Sequence, residues 1–129
     1  MQRVAALLSI AMVGVFLWVV YSADSGQPSV LSQIWYGIPN GDKYGHAVLF
    51  GALTLAANIL TKFRILPIGA LRLFLGSVLV LVAAFAEELS QFMFPARTVD
   101  MTDLLSGMAG VVTASLLSIW LRKTLSSSC

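Results

Sequence analysis

The sequence predicts an all-α polytopic membrane protein, a single domain over residues 1–129 built as a bundle of four transmembrane helices with both termini cytoplasmic. Three observations carry that expectation. Of 129 residues, 58% are apolar and 11% charged, with a mean hydropathy of +0.88, whereas an average soluble domain is about half apolar and about a quarter charged. Four apolar segments, about 4–22, 44–61, 73–94 and 104–121, each approach the roughly 20 residues that a helix needs to cross a bilayer. Membrane-proximal cations also fall unevenly between the two sides that alternating spans define. This composition excludes a soluble enzyme, a disordered chain and a disulfide-stapled secreted domain. A net charge of +2 gives no basic face for nucleic acid.

The first segment, Val4 to Ser22, is read as a retained helix because its apolar run exceeds the usual core of a signal peptide. Cleavage after Val20-Tyr21-Ser22 is the competing reading and leaves three spans. Residues 23–43 form the longest outer connection, with Gly26, Pro28, Pro39, Asn40 and Gly41 as turn formers. Within it Val30, Leu31, Ile34 and Trp35 recur at helical spacing, as in a short interfacial helix or an apolar loop lying on lipid. The second segment runs from about Tyr44 to Thr61. The connection Lys62–Arg72 contains Pro67 and Gly69, which predicts a tight turn between antiparallel helices. The third segment covers about Leu73 to Phe94 and the fourth about Leu104 to Leu121. In the fourth, Ser106, Gly107, Gly110, Ala114 and Ser118 make a small-residue stripe of the kind that lets helices approach closely in lipid. Ser126 to Ser128 are read as a tail. The lone Cys129 can form no internal disulfide and is read as an incidental thiol.

Orientation follows from the cations, because Lys and Arg near membrane spans are retained in the cytoplasm. With the N-terminus inside, Arg3, Lys62, Arg64, Arg72, Arg122 and Lys123 are cytoplasmic, and Lys43 and Arg97 lie outside. Trp18, Tyr21, Trp35, Tyr36 and Tyr44 then sit near the outer interface and Trp120 near the inner one, where amphipathic rings are favoured.

The remaining polar groups sort to one side. Asp42, Lys43 and His46 open the second span. Glu87, Glu88 and Gln91 lie in the outer half of the third, and Arg97, Asp100 and Asp103 occupy the link to the fourth. A carboxylate at membrane depth is costly and marks a side chain that faces the bundle interior or water. Glu88 and Gln91, three apart, share a helix face, whereas the adjacent Glu87 points elsewhere, toward another helix or a water pocket. Asp42 and His46, four apart, stack on one face, continued by Leu49, Phe50 and Leu53. An antiparallel pairing of the second and third helices brings His46 and Glu88 to similar depth. Arg97 supplies a planar fork for a carboxylate or phosphate; an internal ion pair is its simpler role. Thr102 or Asp103 can cap the fourth helix.

Taken in order, Asp42-Lys43-Tyr44-Gly45-His46 with Phe50, Glu88-Leu89-Ser90-Gln91-Phe92, Pro95-Ala96-Arg97, and Asp103 with Gly110 resemble the VanZ-like family of small bacterial membrane proteins. The resemblance covers about residues 40–115 and implies Asp42, Lys43, His46, Glu88, Gln91, Arg97 and Asp103 as the shared polar set. The chain departs from the family pattern at Gly107, where an Asn is usual. The family's founding example is associated with resistance to the glycopeptide teicoplanin, which makes the bacterial cell envelope the expected setting.

Three function classes follow. In the first, an outward-facing site binds or modifies an amphiphilic envelope lipid or lipid-linked precursor, with His46 and Glu88 as the catalytic base and acid pair and Asp42, Lys43, Gln91, Arg97 and Asp103 binding the substrate. In the second, the chain is a non-catalytic scaffold or sensor whose charges form a structural network. In the third, Glu88 and His46 serve a small proton-coupled transporter, although four spans are few for transport and the ionisable groups cluster on one side. No cofactor is expected, and no ligand spacing specifies a metal. The expected partners are the lipid bilayer of the cytoplasmic membrane, an envelope lipid, and a membrane protein or second copy of the chain.

Overall fold

The structure is a computed structural model that describes residues 2–27, 30–94 and 100–128. Its elements run α1 (Gln2–Asp24), α2 (Val30–Tyr36), α3 (Gly41–Leu60), a hairpin of β1 (Ile65–Ile68) and β2 (Leu71–Phe74), α4 (Leu75–Ser90) continued by one 3-10 turn over Gln91–Met93, and α5 (Met101–Ser127). The chain is therefore mostly helical, as its apolar segments predict. Among the described residues three helices are long and apolar enough to cross a membrane, α1, α4 with its 3-10 turn, and α5. The expected count of four is corrected to three by that measure, because the second segment, α3, carries Asp42, Lys43, His46 and Asn58 among its apolar residues.

The position of α3 explains how it keeps those polar groups. It packs against α1, α2, α4 and α5, so its polar side chains meet protein. Near its C-terminal end Asn58, fully buried, donates through Nδ2 to Ser77 Oγ of α4 at 3.0 Å and to Ser118 Oγ of α5 at 2.9 Å. Ser77 in turn shares a 2.8 Å hydrogen bond with Ser115. In hydrocarbon such interhelical bonds substitute for the absent hydrophobic drive, and here they join three helices through one amide.

The small-residue stripe of α5 lies against α3. Gly107, Gly110, Ala114 and Ser118 are buried. A Cβ on Gly110 would collide with the carbonyl of Ala47, and one on Gly107 would lie 2.9 Å from the Phe50 ring. Pairing of Ala47 with Gly110 and of Asn58 with Ser118 runs in the same chain order, so α3 and α5 are parallel. Contacts from Ser77 to Asn58 and from Glu88 to Asp100 run in opposite order, so α4 is antiparallel to both. Phe16, Phe50, Leu53, Val80, Ala84, Leu104 and Val111 form the apolar centre, with Phe16 edge-on to Phe50 at a centroid distance of 5.5 Å.

Two connections differ from expectation. The link expected as a tight turn is an antiparallel hairpin in which Ile65 pairs with Phe74 and Ile68 with Leu71. Its two-residue loop, Gly69-Ala70, has Gly69 at φ 59°, the positive angle that a glycine-led hairpin loop requires. The hairpin extends to Phe74, so the third helix starts at Leu75 and not at Leu73; the Leu75 N–H is satisfied by the Arg64 carbonyl at 2.8 Å. The last helix continues through Ser127, so Ser126 and Ser127 belong to it. Between α1 and α3 the segment Val30–Tyr36 is a helix, and Trp35 packs over Gly45.

Candidate functional site

The N-terminal ends of α3 and α5 and the C-terminal end of α4 meet at one end of the bundle. Asn40, at φ 56°, turns the chain into α3, which puts Asp42 in the first turn, where a carboxylate favours the helix dipole. Lys43 follows, and its Nζ lies 3.3 Å from Asp42 Oδ2, 3.7 Å from Asp100 Oδ2 and 3.7 Å from Asp103 Oδ1. One ammonium thus sits among three carboxylates. One oxygen from each of Asp42, Asp100 and Asp103 lies within 4.8 Å of the others, a grouping that can hold a cation. Lys43 already supplies a positive charge to all three. Asp103 Oδ1 is buried and accepts no hydrogen bond among the described residues, which leaves the Lys43 charge as its partner.

His46 lies one turn into α3. Its Nδ1 is 2.8 Å from the Asp42 carbonyl oxygen; since a carbonyl only accepts, this contact fixes Nδ1 as the protonated nitrogen of the neutral ring. Nε2 then carries the lone pair and has no hydrogen-bond partner among the described residues. The ring stacks on Phe50 at 6.1 Å, which holds its plane, and a proton taken up at Nε2 would place a positive charge within reach of both Glu88 and Asp103.

On α4 and the 3-10 turn that continues it, Glu87, Glu88 and Gln91 are all buried. Gln91 Nε2 donates to Glu87 Oε1 at 3.0 Å and to Glu88 Oε2 at 3.3 Å, so one amide bridges both carboxylates. The expectation that Glu87 faces away from the Glu88–Gln91 pair is therefore corrected. A helix places positions four apart as close as positions three apart, and Gln91 reaches both. Glu88 Oε1 also accepts the backbone N–H of Asp100 at 2.9 Å, tying the end of α4 to the start of α5.

Asp100 is the N-cap of α5: its Oδ1 accepts from the Thr102 N–H at 2.9 Å and from the Thr102 hydroxyl at 2.6 Å. This replaces the expected cap by Thr102 or Asp103 and leaves Asp103, in the first turn, to face Lys43. The Thr102 hydrogen bonds, with help from Lys43, hold the Asp100 carboxyl below the ordinary aspartate value. Asp100 and Glu87 are the two members of this cluster that the selected set missed. The signal for Asp100 was present as Asp-Met-Thr directly before an apolar run, a side-chain acceptor two residues before a free N–H.

Of the seven selected residues, Asp42, Lys43, His46, Glu88, Gln91 and Asp103 stand at this end of the bundle. Arg97, with Pro95 and Ala96, lies outside the described residues. Chemically, the cluster offers an imidazole with an open Nε2, an ammonium and several carboxylates, which together can take up a proton and orient a charged group. In comparisons with known proteins the chain matches no family model, no curated protein and no solved structure.

Proposed function

We propose that the chain is a VanZ-like integral protein of the bacterial cytoplasmic membrane whose polar end faces outward and binds or modifies an amphiphilic envelope lipid or lipid-linked precursor. In this reading α3 crosses the bilayer with α1, α4 and α5 as a fourth span, and both termini are cytoplasmic, since Arg3, Lys62, Arg64, Arg72, Arg122 and Lys123 then obey the retention of cations inside. The observation that supports it most is the open Nε2 of His46, on a ring already oriented through Nδ1 and Phe50 at the same end of the bundle as the ionisable Lys43, Asp103 and Glu88. An imidazole held in this way acts as a base toward a hydroxyl or phosphate proton. Arg97, from the link between α4 and α5, supplies the charge that attracts the anionic head group, while Lys43 offsets the three aspartates around it.

A second reading has its own support. Glu88 Oε1 is engaged by the Asp100 N–H and Oε2 by Gln91, as befits a carboxylate that holds two helices together in a non-catalytic scaffold or sensor. The test is deletion of the gene with complementation by wild type, His46→Ala, Glu88→Gln and Arg97→Ala at matched membrane levels, read by envelope-lipid profile and teicoplanin sensitivity. A change restored by wild type and not by His46→Ala or Arg97→Ala supports the outward site. Restoration by all variants, or loss of the proteins from the membrane, supports the scaffold.

A further inference from the structure

At the opposite end of the bundle a cleft of about 760 Å³ opens between α4, α5 and the hairpin, within the roughly 300–1,000 Å³ of small-molecule sites. Its walls are apolar, with Leu73 and Phe74 from β2, Val78 and Leu81 from α4, and Val112 and Ile119 from α5. Arg72, Arg122 and Lys123 line it at one end. All three are exposed, and among the described residues none is in an ion pair. No Asp or Glu occurs from residue 43 to 86 or from 104 onward, so no acidic side chain from these stretches neutralises the three cations that line the apolar slot.

The dimensions fit one lipid leaflet. Along α5 the cleft is lined from Val111 to Ser127; its stretch from Val111 to the cations at Arg122 and Lys123 spans about 18 Å at about 1.5 Å per residue, against about 15 Å for half of a roughly 30 Å hydrocarbon core. We infer that this cleft is a retained-lipid site for an anionic phospholipid, its phosphate held by Arg72, Arg122 and Lys123 and one acyl chain lying between α4 and α5. Basic pockets between spanning helices at a membrane surface bind anionic head groups, and here the charge and the slot coincide. The site rests on the bundle standing in a membrane. It needs neither the chemistry of the polar end nor a particular orientation.

The test uses the full chain purified in detergent, with native mass spectrometry and thermal unfolding as readouts. The probes are phosphatidylglycerol, phosphatidylcholine with the same acyl chains, and inorganic phosphate. The expected result is a one-to-one phosphatidylglycerol adduct that raises the unfolding temperature, with phosphatidylcholine at least about tenfold weaker and inorganic phosphate without effect. The triple variant R72Q/R122Q/K123Q is expected to lose the preference. R3Q/K62Q/R64Q, which removes as many cations from outside the cleft, is expected to keep it. Val112→Trp, which fills the slot at an exposed position and leaves the cations in place, is expected to abolish the adduct. Equal binding of the two lipids by the wild type, equal loss in both triple variants, binding of free phosphate as tight as the lipid, or a dimer that forms in place of the adduct would each overturn the proposal.

Discussion

Glu88 Oε1 accepts the backbone N–H of Asp100 at 2.9 Å, so the carboxylate that ends one membrane-length helix fixes the residue that caps the next. Through Oε2 the same side chain receives Gln91. Glu88→Ala leaves a part-buried N–H without its acceptor and is expected to destabilise the protein by about 1–3 kcal/mol. Glu88→Gln keeps an acceptor and loses less. Thermal unfolding in one detergent, with all three proteins at equal concentration, measures the difference; equal midpoints for Ala and wild type would remove the latch.

Gly110 sets how closely α3 and α5 approach. Because a Cβ there meets the Ala47 carbonyl, Gly110→Ala is expected to force the helices apart at about 1–3 kcal/mol. Gly14, in α1, has open space around it, so Gly14→Ala is expected to be neutral or slightly stabilising. The pair, compared by chemical or thermal unfolding, separates helix propensity from packing.

At Gly107 the space that a side chain needs is taken by Phe50, whose Cδ2 lies 2.9 Å from an ideal Cβ. Gly107→Asn is expected to destabilise the chain. Combined with Phe50→Leu, the loss is expected to be smaller than the sum of the two single changes by about 0.5 kcal/mol or more. Additive losses in a double-mutant cycle would mean that Phe50 does not block the position.

Asp100 makes stability depend on acid pH with a definite sign. Its carboxyl is held below the ordinary value near 3.8, chiefly by the Thr102 hydrogen bonds. A group depressed on folding contributes above its unfolded pKa, and that contribution disappears as pH falls through the folded one. The expected result is an acid loss confined to pH below about 4, and a shallower profile for Asp100→Asn. Superimposable profiles of unfolding temperature against pH would refute it.

Asn58 is the polar junction of α3, α4 and α5. Asn58→Ala is expected to lower stability by about 1–2 kcal/mol, since membrane interhelical hydrogen bonds average about 0.6 kcal/mol and two are lost. The measurement is unfolding in detergent alongside Ser118→Ala, which removes only one of those bonds.

Much of the candidate site was legible because helical spacing is local. Asp42 with His46, and Glu88 with Gln91, share faces by arithmetic alone, and burial of Gln91 and Glu88 follows from the expense of leaving them in lipid. Asp100 was overlooked because a cap is recognised from the backbone turn around it, and Glu87 because a single amide can bridge two faces of a helix. The hairpin escaped for a related reason. Ile65 to Arg72 read as a turn around Pro67 and Gly69, and Leu73 and Phe74 as the start of a helix, until cross-strand pairing supplies their hydrogen bonds.

By itself the sequence determined that the chain is apolar, mostly helical and divided into long segments, and that acidic residues and the sole histidine are separated from most of the cations. These are sums and periodicities along the chain, which residue order alone fixes. Only the tertiary structure decided that α3, the most polar of the long helices, stands at the centre, that Lys43 gathers three aspartates, and that an apolar cleft ends at Arg72, Arg122 and Lys123. Those facts depend on which faces meet. In a bundle, that choice is made by close approach at Gly110 and by hydrogen bonds such as Asn58 to Ser118, between residues far apart in the chain.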